Sequence, residues 1–199
     1  MKKVDIIASF IIGEVCAIIF LLVSRFLELP SGLTKFTKFF PIVLPLLSIA
    51  GIYVSSFLGR KWKTLFQMGK SFLVGILNTF IDLGVLNLLM WILNIAFGWG
   101  YTFLKGISFC VGTINSYFWN KTWAFGKKET KTTTKEIGQF FSVAIGGLLI
   151  NLLVASFVIR LGPHFELSSK IWANVGAIAA AFGAFLWNFF GYKLIVFKK

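Results

Sequence analysis

The chain has little with which to do covalent chemistry. Among 199 residues there are two cysteines, one histidine and seven carboxylates, against twenty lysines and arginines. Cys16 and Cys110 both fall within apolar helical runs and read as packing residues, with neither a disulfide framework nor a metal-ligand spacing around them. His164 stands alone in the connection 161–170. A Ser-His-Asp set and a G-x-x-x-x-G-K-[ST] loop are both missing, so hydrolase, metalloenzyme and ATPase readings lack support. No cofactor or metal is expected, and the chain does not read as an enzyme. The Asn120-Lys-Thr sequon falls where a cytoplasmic surface is expected, which makes it a chance match.

Also missing is a polar stretch long enough to build a soluble domain. The composition is 57% hydrophobic with a mean hydropathy of +0.84, outside the range of soluble domains. A bilayer core about 30 Å thick needs about 20 apolar residues per helix. Six segments qualify, at 4–27, 39–58, 71–97, 102–120, 138–160 and 171–192. The first follows an MKK start but runs on to Leu27 without a small-residue cleavage site. Glu14 between Gly13 and Val15 spoils a lipobox before Cys16, so the run reads as a retained first helix.

A net charge of +13 would point to nucleic acid in a soluble protein, but the charges are placed otherwise. Lys2 and Lys3 precede the first segment; Arg60, Lys61, Lys63 and Lys70 separate the second and third. Lys121, Lys127, Lys128, Lys131 and Lys135 follow the fourth, and Lys193, Lys198 and Lys199 follow the sixth. Only Arg25, Lys35, Lys38, Lys105, Arg160 and Lys170 lie in or near the alternate connections. The asymmetry predicts a multi-pass protein of a bacterial or archaeal cytoplasmic membrane, both termini cytoplasmic, with membrane lipid as a partner and no nucleic acid.

An internal repeat organises the rest. FCVGTINSYFWNKTWAF (109–125) and AFGAFLWNFFGYKLIVF (181–197) align at a shift of 72, placing Lys121 on Lys193 and Phe125 on Phe197. The runs before them, FLVGILNTFID (72–82) and FSVAIGGLLIN (141–151), align at a shift of 69, which pairs Asp82 with Asn151. The expected fold is an all-α membrane protein of six transmembrane helices. An N-terminal hairpin (1–63) with Pro41 and Pro45 near the start of its second helix precedes a four-helix bundle (67–199) of two parallel two-helix repeats. The polar linker 126–136 joins the copies, and Gly176, Ala180, Gly183 and Ala184 mark a close helix contact.

Ionisable and amide groups inside the bilayer are the candidates for function. Asp82 falls near the midplane, on one face with Asn78 and Gly75, and Asn151 extends the patch from the second copy. These residues serve either a substrate or proton role or hydrogen bonding between helices. Glu14 and Asp82 are the candidates for proton coupling, and Glu14 has pairing within the bundle as its other reading. Asn115, Asn120 and Lys121, with Trp119 and Trp123 beside them, suit a phosphate, sugar hydroxyls and a sugar face. An ordinary snorkelling lysine in an aromatic belt is the plainer reading. The recurrence of the pattern as Trp187, Asn188, Tyr192 and Lys193 weighs for the functional one.

These residues resemble the GtrA-like family of four-helix membrane proteins. Val74, Gly75, Asn78, Thr79 and Asp82 fit its V-G-x-x-N-T-x-x-D-like first helix. Asn120, Lys121, Trp123 and Phe125 fit the N-x-x-x-N-[RK]-x-[WF]-x-F ending of its second, with Ser116 in place of the leading Asn and Asn115 beside it. The second copy keeps Asn188, Lys193 and Phe197, while Tyr192 and Ile195 depart from the pattern. The resemblance covers about 67–199. It implies a flippase for a polyprenyl-phosphate-linked sugar that serves glycosylation of cell-envelope polysaccharide. Asn78, Asp82, Asn115, Asn120, Lys121, Trp123, Asn151, Asn188 and Lys193 would then bind substrate. Two other classes stand beside it: a proton-coupled small-molecule exporter resembling small multidrug resistance proteins, and a non-transporting scaffold for a membrane glycosyltransferase. A glycosyltransferase partner and a homo-oligomer remain open.

Overall fold

The computed structural model describes residues 1–24, 36–95, 98–161 and 169–198. Arg25, Lys35 and the connection carrying His164 lie outside the described residues, as do the side chains around Gly176. All regular structure among the described residues is helical. Six long helices succeed one another: α1 (Lys3–Ser24), α2 (Phe40–Leu58), α3 (Lys63–Leu93), α4 (Gly98–Trp119), α5 (Thr134–Leu161) and α6 (Ser169–Gly191). The chain is an all-α membrane protein. Within the described residues five spans have the length and hydropathy to cross a bilayer, in α1, α2, α3, α5 and from Ile178 to Val196. Helix α4 has the length, 22 residues, but Lys105, Ser108, Thr113, Asn115 and Ser116 dilute its hydropathy. Large apolar side chains face outward throughout, Leu46, Phe57, Leu153 and Phe157 among them, which suits a lipid solvent.

Helix α3 begins well before the apolar run at 71. Trp62 is extended (φ −131°, ψ 99°) and the helix starts at Lys63. The stretch from Lys63 to Lys70, expected as a connection, is therefore helical. Its polar residues are compatible with this because Phe66 packs against the core and Lys70 lies over the Phe66 ring, 4.3 Å from its centroid. Asn94, in the left-handed conformation with φ 54°, ends the helix.

The helices fall into two compact units, residues 1–128 and 129–199. In the first, α1 packs on both α2 and α3, and α3 packs on α4. Its core joins Ala8, Ile12 and Cys16 of α1 to Ile52 of α2, and to Leu73, Val74 and Leu77 of α3. Gly13 lets α1 reach the α2 backbone, since a Cβ there would lie 2.5 Å from Pro45 Cα. Asp5 meets Lys70, and Ile19 lies over Gly84. The offset is 65 residues in both pairs, so α1 and α3 run parallel and in register.

The second unit is the α5–α6 hairpin. A Cβ added at Gly183 would lie 3.5 Å from Val154 and 3.7 Å from Ile150, ordinary contact distances, and Ala180 is buried. The two helices leave no room for a Cβ instead at Gly147, against Asn188, and at Gly191, where it would lie 2.5 Å from Val143.

Candidate functional site

Both copies of the repeat end in the same backbone feature. Helix α4 passes into a π-helical turn, Asn120–Ala124, and α6 passes into another, Tyr192–Val196. In the first, Phe125 N–H donates to the Asn120 carbonyl (2.9 Å); in the second, Phe197 N–H donates to the Tyr192 carbonyl (2.7 Å). The two turns are 72 residues apart, as the sequence repeat requires. Gly126 closes the first with φ +65°, a conformation open to glycine without a Cβ penalty, and Lys127 N–H reaches back to the Lys121 carbonyl at 2.7 Å. π turns of this kind occur at helix C-termini, and here each sets the position of the basic and aromatic residues that end its helix.

Around the first π turn the buried polar side chains form three hydrogen-bonded groups. Asn120 Oδ1 accepts from Ser71 Oγ at 2.8 Å, and Asn120 Nδ2 donates to the Ser116 carbonyl and hydroxyl at 2.9 and 3.1 Å. Lys121 is buried, with its Nζ donating to Tyr117 Oη at 3.2 Å. Trp123 is buried as well, and its indole N–H donates to Asp5 Oδ1 at 3.1 Å. Lys70 Nζ lies 2.5 Å from the same oxygen, and the Lys2 backbone N–H bonds Asp5 Oδ2 at 2.8 Å. Asp5 is thus held on both oxygens.

Farther along the α3–α4 interface, Asp82 is bound on both oxygens too. Lys105 Nζ pairs with Oδ2, and Ser108 Oγ donates to Oδ1 at 2.5 Å. Between these two acidic points stands Asn78, whose Oδ1 is buried without a hydrogen-bond partner. Gly112 makes the room for it, because a Cβ there would lie 2.8 Å from that oxygen. Asn115, three residues on and on the same face as Gly112, has a buried Nδ2 that also lacks a partner. Asp82 and Lys70 are twelve residues apart on α3, about 18 Å at the helical rise. The interface therefore carries a polar seam along much of a membrane's depth.

The second copy has changed most of this chemistry. Phe140 and Tyr192, at the positions of Ser71 and Asn120, are stacked rings with centroids 4.0 Å apart and planes at 6°. Trp187 N–H donates to the Val143 carbonyl at 3.0 Å. Asn188 sits against Gly147, where a Cβ would overlap its amide, and its Oδ1 is buried without a partner. Asn151 is half-buried on α5. Lys193 Nζ lies 5.7 Å from the Phe189 ring centroid. Asp82's counterpart is Asn151, and Ala180 stands in the place of Ser108, so the second copy cannot repeat the Asp82–Ser108 bond. In α1, Glu14 is half-buried with Oε2 lacking a partner.

The structure thus brings together Asn120, Lys121 and Trp123 at one end of α4, and places Asn78, Asp82 and Asn115 on the α3–α4 seam. Sequence reading missed Lys105 as the partner of Asp82, and missed Asp5 altogether. The first had a signal: in an antiparallel hairpin, Asp82 stands eleven residues before the end of α3 and Lys105 seven after the start of α4, a comparable depth. Nothing local marked Asp5, whose partner Trp123 is 118 residues away. Among the described residues no group of three or more His, Cys, Asp or Glu side chains could hold a metal ion.

Residues 70–197 match the family described as GtrA/DPMS, transmembrane domain. The chain is similar to a protein of Bacillus subtilis (strain 168) called uncharacterized membrane protein YngA. The two are 33% identical over 140 residues, 70% of this chain and 83% of that protein. No solved structure matches the chain.

Proposed function

The chain belongs to the GtrA/DPMS transmembrane-domain family, and from that premise we propose that it flips a polyprenyl-phosphate-linked sugar across the cytoplasmic membrane for glycosylation of cell-envelope polysaccharide. The carrying observation is the seam between α3 and α4. Asn78 Oδ1 and Asn115 Nδ2 are buried there without protein partners, and each orphaned group costs about 1–3 kcal/mol. A sugar offers hydroxyls as both donors and acceptors, so its passage would satisfy an amide oxygen and an amide nitrogen in turn. Lys70, Lys121 and Lys105 supply positive charge at two depths for the phosphate.

The hydrocarbon tail stays in lipid or in the apolar grooves beside α3. One groove of about 300 Å³ is lined by Cys16, Leu44, Ile52, Phe72, Leu73 and Phe80, and one of about 350 Å³ by Ile19, Leu22, Ile81, Val85, Leu88 and Trp91. In this reading both termini face the cytoplasm, a glycosyltransferase takes up the delivered lipid on the far side, and Asn151, Asn188 and Lys193 of the second copy contribute further contacts. No bond in the substrate is made or broken.

The test is flux in proteoliposomes. The protein should accelerate the crossing of a fluorescent prenyl-phosphate sugar well above protein-free vesicles, and equal rates would end this reading. The unpartnered Oε2 of Glu14 is what favours the proton-coupled exporter instead. That alternative requires a pH gradient to collapse when a cationic drug is added. Envelope glycosylation that fails while lipid flux persists would identify a scaffold for the glycosyltransferase.

A further inference from the structure

Three hydrogen-bond donors converge on Asp5, and together they describe an anion's binding site. Lys70 Nζ at 2.5 Å and the Trp123 indole N–H at 3.1 Å meet Oδ1, while the Lys2 backbone N–H meets Oδ2 at 2.8 Å. Two oxygens of a phosphate present the same pattern of acceptors to the same donors. Asp5 itself is 3% exposed. Lys70 has a second set of contacts besides Asp5, with its ammonium 4.3 Å from the Phe66 centroid and 5.3 Å from the Trp123 centroid.

The origin of the two sides differs. Lys70 and Trp123 lie within residues 70–197, the part that matches the family, whereas Asp5 comes from α1, which precedes it. A carboxylate is not needed there to hold α1 down. Ala8, Ile12 and Cys16 already bury that helix against α2 and α3, and buried ion pairs are weak stabilisers compared with apolar packing.

We propose that Lys70, Trp123 and the Lys2 N–H form a binding site for a phosphate head group, and that Asp5 is its built-in competitor. The first turn of α1 closes the site until an anion displaces the carboxylate, so the additional N-terminal helix restrains loading of the transporter. This rests on the reading that the chain carries a lipid phosphate, and it adds where the phosphate first docks and what opposes it.

Binding of farnesyl phosphate to the full-length protein in nanodiscs tests the site, with farnesol and inorganic phosphate as the other two ligands. Asp5→Asn keeps an acceptor for the indole N–H but loses the charge. It should bind farnesyl phosphate about tenfold more tightly than the unmodified protein, with farnesol unchanged. The gain should vanish in Asp5→Asn/Lys70→Gln. An equal gain with inorganic phosphate also upholds the site and makes the free anion its guest.

In the unmodified protein, farnesyl phosphate should speed hydrogen exchange in residues 5–9 as the carboxylate is displaced, while the Lys2 amide stays protected by the anion. That measurement decides the matter alone if the variant does not fold. A gain that survives Lys70→Gln overturns the proposal. So does a folded Asp5→Asn that binds no tighter, or exchange in residues 5–9 that is unchanged or slower. Flux of the unmodified protein is read separately, so a working flippase with an inert Asp5 would remove this inference and leave the function standing.

Discussion

Phe140 and Tyr192 stack ring on ring, 4.0 Å between centroids, where the first copy of the repeat joins Ser71 to Asn120 by a hydrogen bond. One position on each helix of the hairpin has kept its contact across the duplication while exchanging a polar bond for an aromatic one. The two contacts sit beside corresponding π turns, so the exchange has altered chemistry without altering backbone form. The first copy retains the hydrogen-bonding side chains, and the second has become more of a packing element.

That division sets the cost of truncation. Phe140→Ala removes a fully buried ring and its stack, and should destabilise the protein by about 3 kcal/mol. Ser71→Ala leaves Asn120 with its two bonds to Ser116 and should cost about 1 kcal/mol. Equilibrium unfolding in mixed micelles compares them, and a larger loss for Ser71→Ala would contradict the assignment.

Removing charge from the α3 seam should affect transport more than insertion. Asp82→Asn leaves Lys105 without its counter-ion, but Lys105 is partly exposed, so the stability loss should stay near 1–2 kcal/mol. Flux of a prenyl-phosphate sugar should fall in both Asp82→Asn and Asn78→Leu while membrane yield is kept. Normal flux from two folded variants would reduce this seam to packing.

Gly112 offers a gentler probe of the same amide. An added methyl would lie 2.8 Å from Asn78 Oδ1, whereas a methyl at Gly106 meets nothing within 4 Å. Asn78 should rotate away in Gly112→Ala at a cost of about 1 kcal/mol, with flux reduced, and Gly106→Ala should match the unmodified protein in both. Equal flux from the two alanine variants would show that the position of Asn78 does not matter.

Lys121 and Lys128 separate a built charge from a solvated one. Lys121 is buried beside Tyr117, and Lys128 is exposed. Lys121→Gln should weaken binding of a prenyl-phosphate sugar by about 1–3 kcal/mol, and Lys128→Gln should change little because solvent screens it. Small, equal effects at low and moderate salt would mean that Lys121 only anchors its helix.

Orientation is open to chemical labelling. The lysine asymmetry predicts that the 126–136 linker faces the cytoplasm and the 161–170 connection the other side. A cysteine replacing Lys131 should react only from the cytoplasmic side, and one replacing His164 only from the other. Both reacting from one side would refute six crossings.

Helix number and type were legible because long apolar runs leave the backbone no alternative in a bilayer. The repeat was legible too, since Lys121 and Lys193 end in corresponding turns. The start of α3 was not, because Lys63 and Lys70 are polar by composition yet lie on a helix that packs Phe66. The Asp82–Lys105 pair spans two helices, and the Asp5–Trp123 bond spans most of the first unit. Such pairings depend on depth and helix facing, which residue types alone do not encode.

The π turns carry a further consequence, which concerns helical phase. A π turn accommodates one residue more than an α turn, so the chain beyond it is displaced by about 100° around the axis and 1.5 Å along it. In the first copy this wider turn holds Lys121 and Trp123 as well as Ala124. Deleting Thr122 alone would tighten the turn to α, swing the indole away from Asp5 and leave α4 otherwise intact. The alignment between membrane helix and polar loop is therefore stored in a single inserted residue, and both halves of the chain keep it.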